Sequence, residues 1–153
     1  MKALIKKLIA YDKLYPIIHS SALYHIIKKA HAQLTSYLHG NPAKDFFIIG
    51  ITGTNGKTTT VNLLHKILND NLAPTVAVST ACLRIWSQKF TNIKKMTSLD
   101  TSDLQELLST AKQNQCKVAI IETSSHGLDQ HRFEGIDFDA AVLTNITHDH
   151  LDY

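Results

Sequence analysis

Two cysteines, three prolines, six glycines and one tryptophan are all that the 153 residues hold of those types. Cys82 and Cys116 lie far apart and in no metal-ligand spacing, which argues against a disulfide scaffold and a cysteine-zinc site and for free thiols. No run of about 18 apolar residues occurs, so no membrane-spanning helix is expected. The opening Met1–Ile9 is interrupted by Lys2, Lys6 and Lys7 and lacks a small-residue cleavage site, so it does not read as a secretory signal. The expected location is the cytoplasm. Aromatics make up 7% and the net charge is +3; with no basic stripe interleaved with rings, a nucleic-acid partner is not expected. What remains is an ordinary globular composition, 44% hydrophobic and 19% charged, long enough for one domain with a real core.

Against that background one stretch stands out. Gly50-Ile51-Thr52-Gly53-Thr54-Asn55-Gly56-Lys57-Thr58-Thr59-Thr60 follows an apolar run, Phe46–Ile49, and precedes Val61, Leu64, Leu68 and Leu72 at helical spacing. Strand, glycine-rich turn and helix make up the setting of a phosphate-binding loop. Glycines let backbone N–H groups approach an anion, and the positive end of the new helix faces the same point. Lys57 can then reach the terminal phosphates, and Thr58 can place a hydroxyl on magnesium. The strict G-x-x-x-x-G-K-[ST] pattern would need glycine at position 51, where this chain has Ile51. The bland alternative is a glycine-rich turn that binds nothing; the strand-to-helix context favours a nucleoside triphosphate.

Residues 1–42 read as a separate helical, basic N-terminal arm, and 43–153 as the nucleotide-binding domain. In the arm Leu23, Ile26, Ile27, Ala30, Leu34, Tyr37 and Leu38 share one helical face, Ser20 or Ser21 could cap the start, and Gly40 followed by Asn41-Pro42 ends it. Six lysines against a single acid, Asp12, would suit an anionic membrane face. Their spread, and the lack of a tryptophan anchor, favour helices packed on the domain. Strands are expected at Thr75–Thr80, Lys117–Glu122 and Asp139–Thr144. Helices are expected from Thr101-Ser102 onward, with Ser102 and Gln105 in capping-box spacing, and over Gly127–Phe133. Leu83–Thr91 reads as a hairpin or an irregular extension, with Trp86 packed. Alternating strands and helices predict an α/β fold with a mostly parallel sheet and helices on both faces, as in phosphate-loop NTPases.

Ligands in such sheets bind beyond the carboxyl ends of the strands. That rule selects Gly53–Thr58, Glu122–Ser125 and Asn145–His150, which should converge on one cleft. Glu122, ending an apolar strand near the loop, is a natural magnesium ligand. In Thr147-His148-Asp149-His150-Leu151-Asp152 an imidazole could bind a divalent ion or hold a ligating water; two histidines alone are thin support for zinc. Asn145-Ile146-Thr147-His148 is not the Asn-Lys-x-Asp of a GTPase. Arginine occurs only at positions 84 and 132, too few for a small-molecule kinase.

Gly53–Thr59 resembles the phosphate loop of the Mur ligases, which breaks the strict spacing in the same way. Glu122–Arg132, Asp137–Asn145 and Asp149–Tyr153 resemble that family in order, so the likeness spans about residues 46–153. It is strongest to the family's enzymes that add the third amino acid of the peptidoglycan stem. The resemblance implies an ATP-dependent carbon–nitrogen ligase that phosphorylates the carboxylate of UDP-N-acetylmuramoyl-dipeptide to an acyl phosphate, which an incoming amino acid attacks to form an amide. ATP and Mg2+ are the implied cofactors. Carried over by position, Gly53, Thr54, Asn55, Gly56, Lys57, Thr58 and Thr59 hold the phosphates, Thr58 and Glu122 hold magnesium, and His150 serves a second magnesium. Lys57, Glu122 and His150 are the catalytic set. Thr97, Ser98, Ser124, Gln130 and Arg132 would contact the UDP-muramoyl-peptide. Three departures stand beside this. Only a short arm precedes the loop where the family has a uridine-binding domain. Met96–Leu99 differs from the family's Thr-Thr-Pro-like turn. The chain stops at Tyr153, ahead of the family's carbamylated lysine and amino-acid domain, so a partial central domain unable to ligate alone is expected. The alternatives are a folylpolyglutamate synthase-like ligase, which the Ser124–Arg132 run argues against, and a non-catalytic nucleotide-binding module.

Overall fold

The computed structural model describes residues 21–91 and 99–147. Residues 1–20 of the arm, Thr97, Ser98 and His150 lie outside them.

The first described helix, α1 (Ala22–Leu38), opens on Ser21, whose side chain accepts from the Tyr24 amide. It closes where the Gly40 and Asn41 amides donate to the carbonyls of Tyr37 and Ser36, a Schellman end. The expected start and stop both hold. The helix also packs on the domain as expected, but not through its apolar stripe. Leu23, Ile26, Ile27, Leu34, Tyr37 and Leu38 are all more than half exposed, while Ala32 and Ser36 are buried. At about 100° per residue, the side that meets the domain is opposite the apolar stripe. The reason is close approach. Gly135, at φ +79, sits so near α1 that a Cβ there would lie 2.9 Å from Ser36, and only small side chains fit that seam. The His25 and His131 rings add an edge contact, with Nδ1 and Nε2 3.0 Å apart.

A single 3-10 turn (Pro42–Asp45) leads into β1 (Phe47–Thr52), which runs three residues past the apolar run. The loop follows, then α2 (Lys57–Asn71) and β2 (Thr75–Val78). The ambiguous stretch is a hairpin, β3 (Cys82–Ile85) and β4 (Gln88–Thr91), turning at Trp86-Ser87. Trp86 is 53% exposed at φ +53 rather than packed. Helix α3 (Thr101–Gln113) starts from Asp100. The expected capping box is not formed: Ser102 lies inside the helix, and Gln105 is fully buried, its amide atoms without a partner among the described residues. After β5 (Val118–Glu122), the helix expected over Gly127–Phe133 is shorter and earlier, α4 (Ser125–Asp129). Ser124 caps it by accepting from the Gly127 amide, which draws the first turn forward. Strand β6 (Ala140–Leu143) closes the described chain.

The six strands form one sheet in the order β4-β3-β2-β5-β1-β6. The β2-β5, β5-β1 and β1-β6 pairs are parallel, and the hairpin adds two antiparallel pairs at one edge. Alternate residues of the inner strands feed two cores, as the two-residue strand period requires. Ile48, Val76, Val78, Ala119 and Ile121 pack on one side with Leu104, Leu108 and Ala111 of α3. Ile51, Ala77, Val118 and Ile120 pack on the other with Val61, Leu64 and Leu68 of α2. β5, between β1 and β2, is buried at every position, the pattern of a central parallel strand. Asp139 sets the register of β6: its carboxylate accepts from the Ile48 amide at 2.7 Å and its own amide donates to the Ile48 carbonyl. The carboxyl ends of β1, β5 and β6 are thereby brought side by side.

Candidate nucleotide and metal site

The loop between β1 and α2 is held open from one side. Gly53 lies at φ +128, and a Cβ there would meet the Thr144 hydroxyl and the Asn145 backbone. Only glycine lets the loop pass so close to the segment after β6. That segment straps it down. The Thr54 amide donates to the Asn145 carbonyl at 3.2 Å. The Asn55 amide donates to Asn145 Oδ1 at 2.9 Å, and Asn145 Nδ2 returns a bond to the Asn55 carbonyl at 3.0 Å. Thr144 Oγ1 donates to the same carbonyl at 2.7 Å, and the Thr147 amide donates to Thr54 Oγ1 at 3.1 Å. An irregular loop has few bonds of its own, so these partners set its shape.

The far side of the loop is left for a ligand. Gly56 caps α2 at φ +84 without a side-chain hydrogen bond, and the first turn carries no acid. The amides of Lys57, Thr58 and Thr59 therefore end the helix without a carboxylate, where the dipole favours an anion. Lys57 folds back, its Nζ donating to the carbonyls of Gly53 at 2.6 Å and Thr54 at 2.9 Å. These are acceptors that an arriving phosphate can replace.

Glu122 ends β5 only 2% exposed. A buried carboxylate needs partners, and it has three donors. Thr58 Oγ1 lies 2.9 Å from Oε2, the Thr80 amide donates to Oε2 at 2.9 Å, and Thr80 Oγ1 lies 3.0 Å from Oε1. Two hydroxyls and a carboxylate are hard oxygen donors of the kind that suit magnesium. A cation drawing those hydroxyl oxygens would replace the hydrogen bonds that hold Glu122 now, so the residues present fit the ion. The expected meeting of the loop with Glu122 and with Asn145 holds.

Among the residues expected to touch substrate, the structure joins Gln130 and Arg132. Gln130 Oε1 accepts from Arg132 Nε at 3.0 Å and from Nη2 at 2.6 Å. Asp100 stands 3.8 Å from Arg132 Nη1. Ser124 is occupied in capping α4. Thr97, Ser98 and His150 fall outside the described residues.

Thr80 and Thr144 escape sequence reasoning. Both follow a strand end, so the rule that picked Glu122 would have reached them had the order of strands been known. Thr80 matters only because β2 lies beside β5, and Thr144 only because β6 lies beside β1.

Comparison with known proteins follows the same residues. A sequence profile of the Mur ligase middle domain matches residues 51–153. The UDP-N-acetylmuramoyl-L-alanyl-D-glutamate--2,6-diaminopimelate ligase of Synechococcus elongatus is 42% identical over 120 residues, covering 78% of this chain and 24% of that protein. A solved structure of a ligase of the same name is 31% identical at a TM-score of 0.70, over 82% of this chain and 25% of the other. E. coli FolC, in complex with DHPP and ADP, is 25% identical at a TM-score of 0.63, over 80% of this chain and 34% of its own. The chain spans about a quarter of the length of the curated relatives it matches. With a glycine loop running into a helix whose first turn carries no acid, a buried glutamate behind it and a family profile across two thirds of the residues, the chain belongs to the Mur ligases, matching their middle domain over residues 51–153.

Proposed function

We propose that this chain is the ATP-binding part of an ATP-dependent amide ligase of peptidoglycan precursor synthesis, adding an amino acid to UDP-N-acetylmuramoyl-dipeptide in the cytoplasm. The single observation that carries the reading is the buried Glu122, tied to Thr58 of the loop and to Thr80. A carboxylate held there behind an open helix end is suited to the cation that accompanies a triphosphate. In this reading the loop amides from Gly53 to Thr59 cradle the phosphates, and Lys57 exchanges its carbonyl partners for phosphate oxygens. Thr58, Thr80 and Glu122 would hold magnesium, and His150 a second one. The ion would supply neutralisation of the phosphate charge. Ser124, Gln130 and Arg132, with Thr97 and Ser98, would hold the muramoyl peptide. The peptide carboxylate takes the terminal phosphoryl group, ADP leaves, and the incoming amine displaces phosphate to form the amide. Residues 1–42 would be an arm and 43–153 the working domain. The FolC likeness reflects shared architecture; Ser124–Arg132 favours the muramoyl substrate.

Calorimetry of Mg-ATP binding to this chain and to Lys57→Ala tests the reading. Losing a charge-assisted bond to phosphate should weaken binding about 10- to 100-fold. Binding by the folded chain that needs neither magnesium nor Lys57 would overturn it. The 153 residues alone should form no amide; turnover by the purified chain would overturn the assignment as a part.

A further inference from the structure

A second cavity lies away from the phosphate loop, between α2 and the β3–β4 hairpin. Its volume is about 480 Å³, and Asn62, His65, Lys66, Asp70, Arg84 and Trp86 are on its wall. That is within the roughly 300–1,000 Å³ range of small-molecule sites.

Three features of the wall lack an explanation in the fold. Trp86, the only tryptophan of the chain, holds a left-handed backbone at φ +53 while its side chain stays 53% exposed. Bulky residues rarely occupy that region, and no burial compensates for it here. An asparagine or glycine would make the same turn with less strain. His65 is 5% exposed, and its Nε2 has no partner among the described residues. Burial, and the charge of Arg84 after it, lower the pKa of this ring, while the backbone of Thr75 and of Trp86 acts the other way. Arg84 is the third feature. Its Nε donates to Asn62 Oδ1 at 3.0 Å, and Asn62 Nδ2 is anchored on the Thr58 carbonyl at 2.7 Å. The guanidinium is thus fixed in place, yet its terminal nitrogens bond to no described residue. Lys66 adds an exposed positive charge on the same wall, with Asp70 as the opposing acid.

We propose that this cavity is a second ligand site, for a planar aromatic anion of mononucleotide size. The ring stacks on Trp86, and the anionic group meets Arg84 and Lys66. Both parts match a recognised pairing: flat rings on tryptophan, and a phosphate or carboxylate on a pre-positioned guanidinium.

Because Trp86 is the only tryptophan, its fluorescence reports occupancy directly. Adenosine monophosphate is the probe, titrated without magnesium into the wild type, Lys57→Ala and Arg84→Met. Adenosine and inorganic phosphate test the ring and the anion alone. The expected result is saturable quenching with a Kd below about 1 mM, unchanged in Lys57→Ala and about tenfold or more weaker in Arg84→Met. Each half-ligand should also bind about tenfold or more weakly. Lys66→Met replaces Arg84→Met if circular dichroism shows the latter unfolded, and should weaken binding in the same sense. No saturable quenching up to about 5 mM overturns the proposal. So does quenching lost in Lys57→Ala but kept in Arg84→Met, which would place the ligand at the phosphate loop.

Discussion

Asn145 shows how one side chain can shape a site it does not enter. Both ends of its amide are spent on Asn55, and its carbonyl takes the Thr54 amide. Asn145→Ala should leave the fold in place and weaken Mg-ATP binding about tenfold, through a loop no longer held to one shape; calorimetry beside Lys57→Ala measures it. His65 makes a different statement. Its folded pKa is below the ordinary 6.5, through burial and then Arg84. Between those two values the unfolded chain binds the proton more readily than the folded one. Stability therefore rises with pH through that window, and falls as pH drops below about 6.5. Denaturant midpoints at pH 7.5 and 5.5 should show a loss on acidification that His65→Gln reduces. At this scale the legible residues were those whose meaning is local. Lys57 and Thr58 sit in a strand-turn-helix string, and Glu122 ends an apolar run. Thr80, Thr144 and the cavity residues around His65 acquire meaning only from strands that are neighbours in space, which no short window of sequence contains.

Among the elements, α1 separates what periodicity can say from what it cannot. The spacing of Leu23, Ile26, Ile27, Leu34 and Leu38 identifies a helix and its apolar stripe, and the helix is there. It does not say what lies against the stripe. The domain uses the opposite side, where Ala32 and Ser36 pass close to Gly135, because small residues permit an approach that leucines would block. Two substitutions test this in opposite directions. Ile27→Lys should change stability by less than about 0.5 kcal/mol. Ala32→Asp, burying an unpaired charge in the seam, should cost about 3 kcal/mol or more, or release the helix. Thermal unfolding followed by circular dichroism reads both. The capping box failed for a related reason. Ser102 and Gln105 have the right spacing, but α3 starts at Thr101, from Asp100, and the core claims Gln105. The hairpin was ambiguous because Trp86 stands, at positive φ, where such a two-residue turn ordinarily has glycine.

For the molecule as a whole, alternation of strand and helix was enough to predict a parallel sheet covered on both faces, and the layers agree. The order β4-β3-β2-β5-β1-β6 was not readable, since apolar strands of similar length are interchangeable until their helices pack. That order has a further consequence. β5 bonds to strands on both sides and is buried throughout, so its amides can meet solvent only when the sheet itself comes apart. The amides of α1 depend on one narrow seam and can open while the sheet stays intact. In deuterated water the chain should therefore keep two clocks. The helix amides would exchange early and at a rate sensitive to Ala32, and the β5 amides last, at the rate set by global unfolding. Mass spectrometry of peptic fragments would read both, and a single shared rate would mean that helix and sheet open as one body.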